Sequence, residues 1–268
     1  MKIGNIQFTP EKETLFLTLY GKALDYRSRN SILNDRYANE IVEKVTIDFS
    51  KFSDANNRIV AVRAKQFDEW VIEFITKNSD SVILNLGCGL DTRISRINPP
   101  NSVQWFDIDY PEVIELRKQF YTDKNNYKMI GSSVTEENWL KKIPHSQPAL
   151  IISEGLVSYL TEEDVKTLLN RLTEYFPKGE IDFNIVSPLT ANKNRNNVKK
   201  ATGAEQKWLI DHPAKVDELN PKMHRMETLS LFNSAFVKKL PFKFRMMLKL
   251  ANLHPKYKNL IQLLRYEF

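Results

Sequence analysis

Gly87 and Gly89 flank the chain's one cysteine, Cys88, just after an apolar run from Val82 to Leu86, and Asp91 follows two places later. Glycines let a backbone turn tightly and approach a ligand closely. In an open α/β sheet, ligands bind beyond the carboxyl ends of the strands. A dinucleotide loop would read G-x-G-x-x-G, but the window here is Gly87-Cys88-Gly89-Leu90-Asp91-Thr92, and the third glycine is missing. The Gly-Lys-Ser/Thr ending of a P-loop is absent as well. Both departures weaken a phosphate-cradling reading. Asp107 and Asp109 stand about 20 residues beyond the loop, where a carboxylate accepts hydrogen bonds from ribose hydroxyls. The pattern points to an adenosine-type ligand without a pyrophosphate, and S-adenosylmethionine has that profile. Cys88 has no partner cysteine and no neighbouring base, so it reads as a small residue filling a tight turn.

The elements that must position these residues alternate. "SVILNL" (81–86), "VQWFDID" (103–109), "YKMIG" (127–131), "PALIISEG" (148–155) and "GEIDFNIV" (179–186) read as strands. "RISRI", ended by the turn "NPPN" (98–101), "PEVIELRKQFY", "TEENWLKKI" and "TEEDVKTLLNRLTEYF" (161–176) read as the helices between them. Pro111 sits where a first turn tolerates proline, and Thr135 and Thr161 are candidate N-caps. Strands alternating with helices imply a mostly parallel sheet covered on both faces. Upstream, residues 12–77 read helical, in "ETLFLTLYGKAL", in "NDRYANEIVEKV" with Asn34 or Asp35 as its cap, and in "IVAVRAKQFDEWVIEFITKN". After residue 187 the pattern weakens. "TANKNRNNVKKATGAEQKWL" is polar with some helical character, and "NLIQLLRYEF" could be a final strand.

Composition narrows the classes. The 268 residues suit one α/β domain with a real core. One cysteine excludes an internal disulfide and any cysteine-built metal site. His145, His212, His224 and His254 are scattered without metal spacing, so no metal is expected. No run is long and apolar enough for a membrane span, and the first residues, MKIGNIQFTPEKET, lack a signal-peptide core. A cytoplasmic protein without a membrane partner is expected. The net charge of +6 is uneven: residues 191–268 carry 16 Lys/Arg against 6 Asp/Glu. A solvated lysine-rich surface accounts for this, and nucleic acid is not favoured without a basic motif interleaved with aromatics. Lys22 and Arg27 read as solvated charges too.

"NLGCGLDTR", followed by "FDIDYPEVIELRK" and "ISEGLVSYL", resembles the leucine carboxyl methyltransferase family of class I S-adenosylmethionine-dependent enzymes, in particular its bacterial tetracenomycin-polyketide-type O-methyltransferase branch. "ALDYRSRNSILNDRYANEIV" and "RAKQFDEWV" fit the family's N-terminal helices. The resemblance covers roughly residues 12–186 and implies a Rossmann-like α/β fold. In that fold a seven-stranded mostly parallel sheet has helices on both faces. The implied single domain, 1–268, divides into an N-terminal helical cap (1–78), a cofactor core (79–187) and a lid with the final strands (188–268). The resemblance further implies that Arg63 pairs with the methionine carboxylate of S-adenosylmethionine. Gly87, Cys88, Gly89 and Asp91 lie along its methionine part. Asp109 holds the ribose, with Asp107 as rival. Ser133 and Val134 flank the adenine, where the family more often has Asp-Leu. Glu154 sits by the amino group or the transferring methyl, and Tyr159 faces the acceptor; these two are the catalytic candidates.

Methyl transfer from a sulfonium is an in-line displacement in which a protein mainly aligns reactants and excludes water. A carboxylate acceptor needs no general base; a hydroxyl does. Only Tyr159 and His224 are candidate bases, which favours a carboxylate of a small molecule, with a protein C-terminus as another acceptor and a metabolite hydroxyl as the rival. A nicotinamide-dependent oxidoreductase and an inactive cofactor-binding protein are the alternatives. The missing third glycine argues against the first, and the intact glycine loop, Asp109 and Glu154 argue against the second.

Overall fold

The computed structural model describes residues 2–3, 6–7, 9–52, 57–190 and 202–268. Two short strands, β1 (Lys2–Ile3) and β2 (Ile6–Gln7), pair antiparallel. Three helices follow: α1 (Pro10–Tyr26), α2 (Arg36–Lys44) and α3 (Asn57–Lys77). Asp35 caps α2 by accepting from the Ala38 N–H at 3.0 Å, which satisfies one of the helix's orphan donors. Leu15, Phe16 and Leu19 of α1 bury against Ala38, Ile41 and Val42 of α2.

The chain then alternates through β3 (Val82–Leu86), α4 (Arg93–Ile97), β4 (Gln104–Asp109), α5 (Pro111–Arg117), β5 (Tyr127–Gly131), β6 (Ala149–Ser153), α6 (Glu162–Tyr175) and β7 (Gly179–Val186). It closes with α7 (Ala214–Asp217), β8 (His224–Ser230), α8 (Phe242–Leu253), α9 (Pro255–Lys258) and β9 (Ile261–Glu267). Seven strands form one sheet in the order β5-β4-β3-β6-β7-β9-β8. β3 to β7 run parallel, and β9 inserts antiparallel between β7 and β8.

The period of two along each strand sorts the core into two layers. Leu84, Phe106 and Ile151 face α6, whose Val165, Leu168 and Leu172 cover them. Ile83, Trp105 and Leu150 face the other way, onto Phe67 and Val71 of α3, and Leu248 of α8 packs into that same layer. α3 thus belongs to the sheet's own cover, although the sequence alone groups it with the N-terminal cap. Thr161 and Asp164 form a capping box at the start of α6, with Glu162 and Glu163 beside its positive end.

Three sequence expectations change. "TEENWLKKI" is not an α-helix; its only regular piece is the 3-10 turn Leu140–Lys142. Arg171 Nη1 donates to the carbonyls of Thr135 and Glu136 at 3.2 and 2.8 Å, so these acceptors are held by a neighbouring helix and not by their own. The position of β8, one of the final strands the resemblance implies, was not legible because it is a largely exposed edge strand with little apolar alternation. The polar stretch 190–209 falls partly on residues 191–201, outside the described residues, and residues 203–209 are not helical. Among the described residues no helix is long and apolar enough to cross a membrane.

Candidate active site

A cleft of about 400 Å³ opens at the carboxyl ends of β3, β4 and β6 and is roofed by α1. Its floor is the glycine loop. Gly87 (φ +63°) and Gly89 (φ +51°) both lie in the left-handed region that favours glycine. A Cβ on Gly89 would come 3.2 Å from Leu15 Cβ, and one on Gly87 would come 3.1 Å from Leu156. Arg117 of α5, fully buried, supports the loop from beneath by donating to the carbonyls of Gly89 and Asp91 at 3.1 and 2.6 Å.

The two candidate ribose carboxylates separate cleanly. Asp107 and Asp109 share a face of β4, but Asp107 lies opposite Asn85 in the sheet interior while Asp109 stands one residue past the Leu86–Ile108 pair, at the strand's tip. Asp107 is fully buried and does not line the cleft. Its oxygens accept from Asn85 (2.9 Å), Trp105 (3.0 Å), Tyr127 (2.7 Å) and Arg117 (2.5 Å). This corrects its reading as a rival ribose ligand: Asp107 holds the arginine that holds the loop. Asp109 lines the cleft, and each of its oxygens accepts one backbone N–H at 2.7 Å, from Gly89 and Tyr110. Burial pushes its carboxyl up to about 6 against the pull of those two bonds. Lone pairs remain on both oxygens for further donors.

At the other end of the cleft lies Glu154, just past β6. Arg63 Nε donates to its Oε1 at 2.8 Å and Arg93 Nη2 to its Oε2 at 2.5 Å. Burial raises the carboxyl, but Arg63, Lys22 and Arg93 outweigh it and bring the group down to about 2. Arg63 is therefore paired inside the protein, with one Nη lying over Gly155 (φ +78°). Asp91 sits in the same network. Lys22 reaches it at 2.6 Å, Arg93 at 2.8 Å and Arg96 at 3.0 Å. These cations hold it well below the usual carboxylate range although burial alone would raise it.

Cys88 lines the cleft but is 3% exposed, and burial lifts its thiol well above the ordinary range. Tyr159 lines the cleft, as do Leu160 and Lys207. Ser133 and Val134 do not line it: Val134 packs in the core, and Ser133 Oγ hydrogen-bonds Thr135. His224 is also elsewhere. It pairs with Glu267 at the beginning of β8, the opposite end of the sheet from the cleft, which removes it as a base. Among the described residues no group of His, Cys, Asp and Glu could hold a metal.

Sequence reasoning missed the cationic scaffold. Arg93, Arg96 and Lys22 are each buried, and Lys22, read as solvated, is 3% exposed. A signal was present: "DTRISR" places two arginines three apart directly after the loop. Arg27 stays at the surface, donating to Asn39 at 2.5 Å.

The residues present suit S-adenosylmethionine. A half-buried carboxylate at the tip of β4 offers acceptors for a diol. Close-approach glycines lie between it and an acid–base pair suited to an amino acid zwitterion. The sheet is of the Rossmann-like α/β type, and the cleft at its carboxyl end has the lining such a cofactor needs.

Residues 16–173 match the family model of leucine carboxyl methyltransferase, and the chain belongs to that family. It is 39% identical to the tetracenomycin polyketide synthesis O-methyltransferase of Streptomyces glaucescens, covering 87% of each chain. It is 29% identical to the S-adenosyl-L-methionine-dependent methyltransferase dpfgK of Gibberella zeae, covering 84% of each. Among solved structures it resembles a protein of the duf574 family from Streptomyces avermitilis (TM-score 0.60, 12% identity, 92% of this chain and 96% of that one). It also resembles the N-methyltransferase NodS of Bradyrhizobium japonicum in complex with S-adenosyl-L-homocysteine (TM-score 0.53, 13% identity, 87% and 98%). Nothing in these likenesses supports a nicotinamide-dependent oxidoreductase.

Proposed function

We propose that the protein transfers a methyl group from S-adenosylmethionine to an oxygen of a small polyketide-like metabolite, with a carboxylate as the favoured acceptor. The observation that carries the acceptor choice is the lining of the cleft. It includes Lys12, Lys22, Arg63 and Lys207 beside Asp91, Asp109 and Glu154; Lys22 and Arg63 pair with two of these carboxylates, Lys207 is exposed, and among the described lining residues there is no histidine. Its phenols are Tyr110 and Tyr159. An acceptor that arrives already ionised needs no general base. The name of the Streptomyces relative supports a polyketide-type acceptor over a protein C-terminus.

The sulfonium of the bound cofactor supplies an activated methyl group. The chain's own residues do the rest. Asp109 accepts hydrogen bonds from the ribose hydroxyls. Glu154, ionised at every physiological pH, attracts the amino group, and the free edge of Arg63 attracts the carboxylate. Gly87 and Gly89 let the backbone approach. Lys207 and Tyr159 orient the acceptor's negative oxygen. Leu15, Leu156 and Leu160 keep water from the reacting atoms.

The test is methyl transfer from isotopically labelled S-adenosylmethionine to aromatic polyketide acids and to their methyl esters. Base-labile label in the free acids alone supports the carboxylate. Base-stable label in both acids and esters identifies a hydroxyl acceptor.

A further inference from the structure

The sheet's cover ends in a surface that the methyl-transfer cleft does not use. α8 packs only one side inward: Leu248 is buried and Phe244 packs beside it. By the 3.6-residue repeat, Phe242, Met246, Leu250 and Leu253 fall in a single stripe on the opposite side. Their exposures are 66%, 38%, 64% and 81%, and Tyr257 of α9 is 47% exposed. Single exposed apolar residues are ordinary on a protein surface, but a contiguous stripe along one helix marks an interaction site.

Charge identifies what the stripe meets. Lys243 borders it on one side and Lys249 and Arg245 on the other. Between Glu227 and Glu267 the sequence has eight Lys/Arg and no Asp or Glu. An apolar stripe rimmed by cations on an interfacial helix matches an anionic lipid surface, where the side chains enter the acyl boundary while the cations meet the headgroups. A second copy is the wrong partner, because a two-fold contact through this face would set the cationic rims against each other. A nucleic-acid backbone would satisfy the cations and leave the apolar stripe uncovered.

We infer that the α8–α9 face docks the protein on an anionic membrane surface, lying on it without crossing it. The docking is independent of the methyl-transfer cleft, which none of these residues lines.

Co-sedimentation with vesicles tests this. The full-length protein should bind phosphatidylglycerol/phosphatidylcholine vesicles at least tenfold more strongly than phosphatidylcholine alone, and 0.5 M salt should weaken that binding. Leu250→Glu with Leu253→Glu, and separately Lys243→Glu with Lys249→Glu, should each reduce binding at least tenfold. Both double variants replace exposed residues, so thermal unfolding and affinity for S-adenosylmethionine should stay as in the parent protein. No binding to the anionic vesicles would overturn the inference. So would equal binding to phosphatidylcholine, tighter binding to duplex DNA than to vesicles, or a concentration-dependent dimer that Leu250→Glu with Leu253→Glu dissolves.

Discussion

Arg93 reaches Glu154 across 61 residues of sequence, its Nη2 lying 2.5 Å from Oε2, and this contact joins the helix after the glycine loop to the end of β6. Arg93 is fully buried, and its other nitrogens meet Asp68 and Asp91 at 2.8 Å each. Three carboxylates thus share one guanidinium beneath the cleft. Removing one partner of a buried ion pair leaves uncompensated charge, which costs about 3–5 kcal/mol. Arg93→Ala should lower unfolding stability by that amount in a denaturant titration and abolish cofactor binding. A loss below 1 kcal/mol would show that the network does not hold the site together.

Asp109 gives the site a pH dependence. With its carboxyl near pH 6, it is ionised at pH 7.5 and mostly protonated at pH 5. Affinity for S-adenosylmethionine should fall roughly tenfold between those values. Asp109→Asn should bind weakly at both, with the pH slope gone. For folding without ligand the sign is opposite. The folded protein holds this proton more tightly than the unfolded chain, so Asp109 contributes stability at low pH that is lost as pH rises from about 4 through about 6. Equilibrium unfolding of the parent and Asp109→Asn across that range checks the difference.

Much of this was legible in the residues. β5, β7 and α4 fall on the segments their patterns indicate, because short apolar runs bounded by Gly, Pro and Asn have few other ways to bury. The division of labour between Asp107 and Asp109 was not legible. Two aspartates two apart on a strand look alike until β3, ending opposite Ile108, shows which one the sheet encloses. Arg93 and Arg117 were hidden for a related reason. Asp68 and Glu154 are distant from Arg93 in sequence, Asp107 lies on the strand before Arg117's helix, and only the fold brings each pair together.

The Thr161 capping box anchors α6 to the layer behind β6. Its hydroxyl accepts from the Asp164 N–H at 3.1 Å, and Asp164 accepts from the Thr161 N–H at 3.2 Å. Thr161→Ala should cost about 1 kcal/mol of stability, read from the shift in denaturation midpoint, while leaving cofactor affinity unchanged. A matching loss of affinity would mean that α6 shapes the cleft directly.

Cys88 should behave as a buried filler. A thiol-specific disulfide reagent should label the native protein far more slowly than the unfolded chain, because the thiol is enclosed and burial keeps it protonated. Fast native labelling would contradict that role.

The central claim is that the loop around Gly87 and Gly89 receives S-adenosylmethionine, and isothermal titration tests it most directly. The parent protein should bind S-adenosylmethionine and its demethylated product at one site. Cys88→Ala should keep most of that affinity. Gly89→Val should lose it while still unfolding cooperatively, since valine at φ +51° strains the backbone and crowds Leu15. No heat of binding from the parent protein, or equal losses from the two variants, would contradict the account.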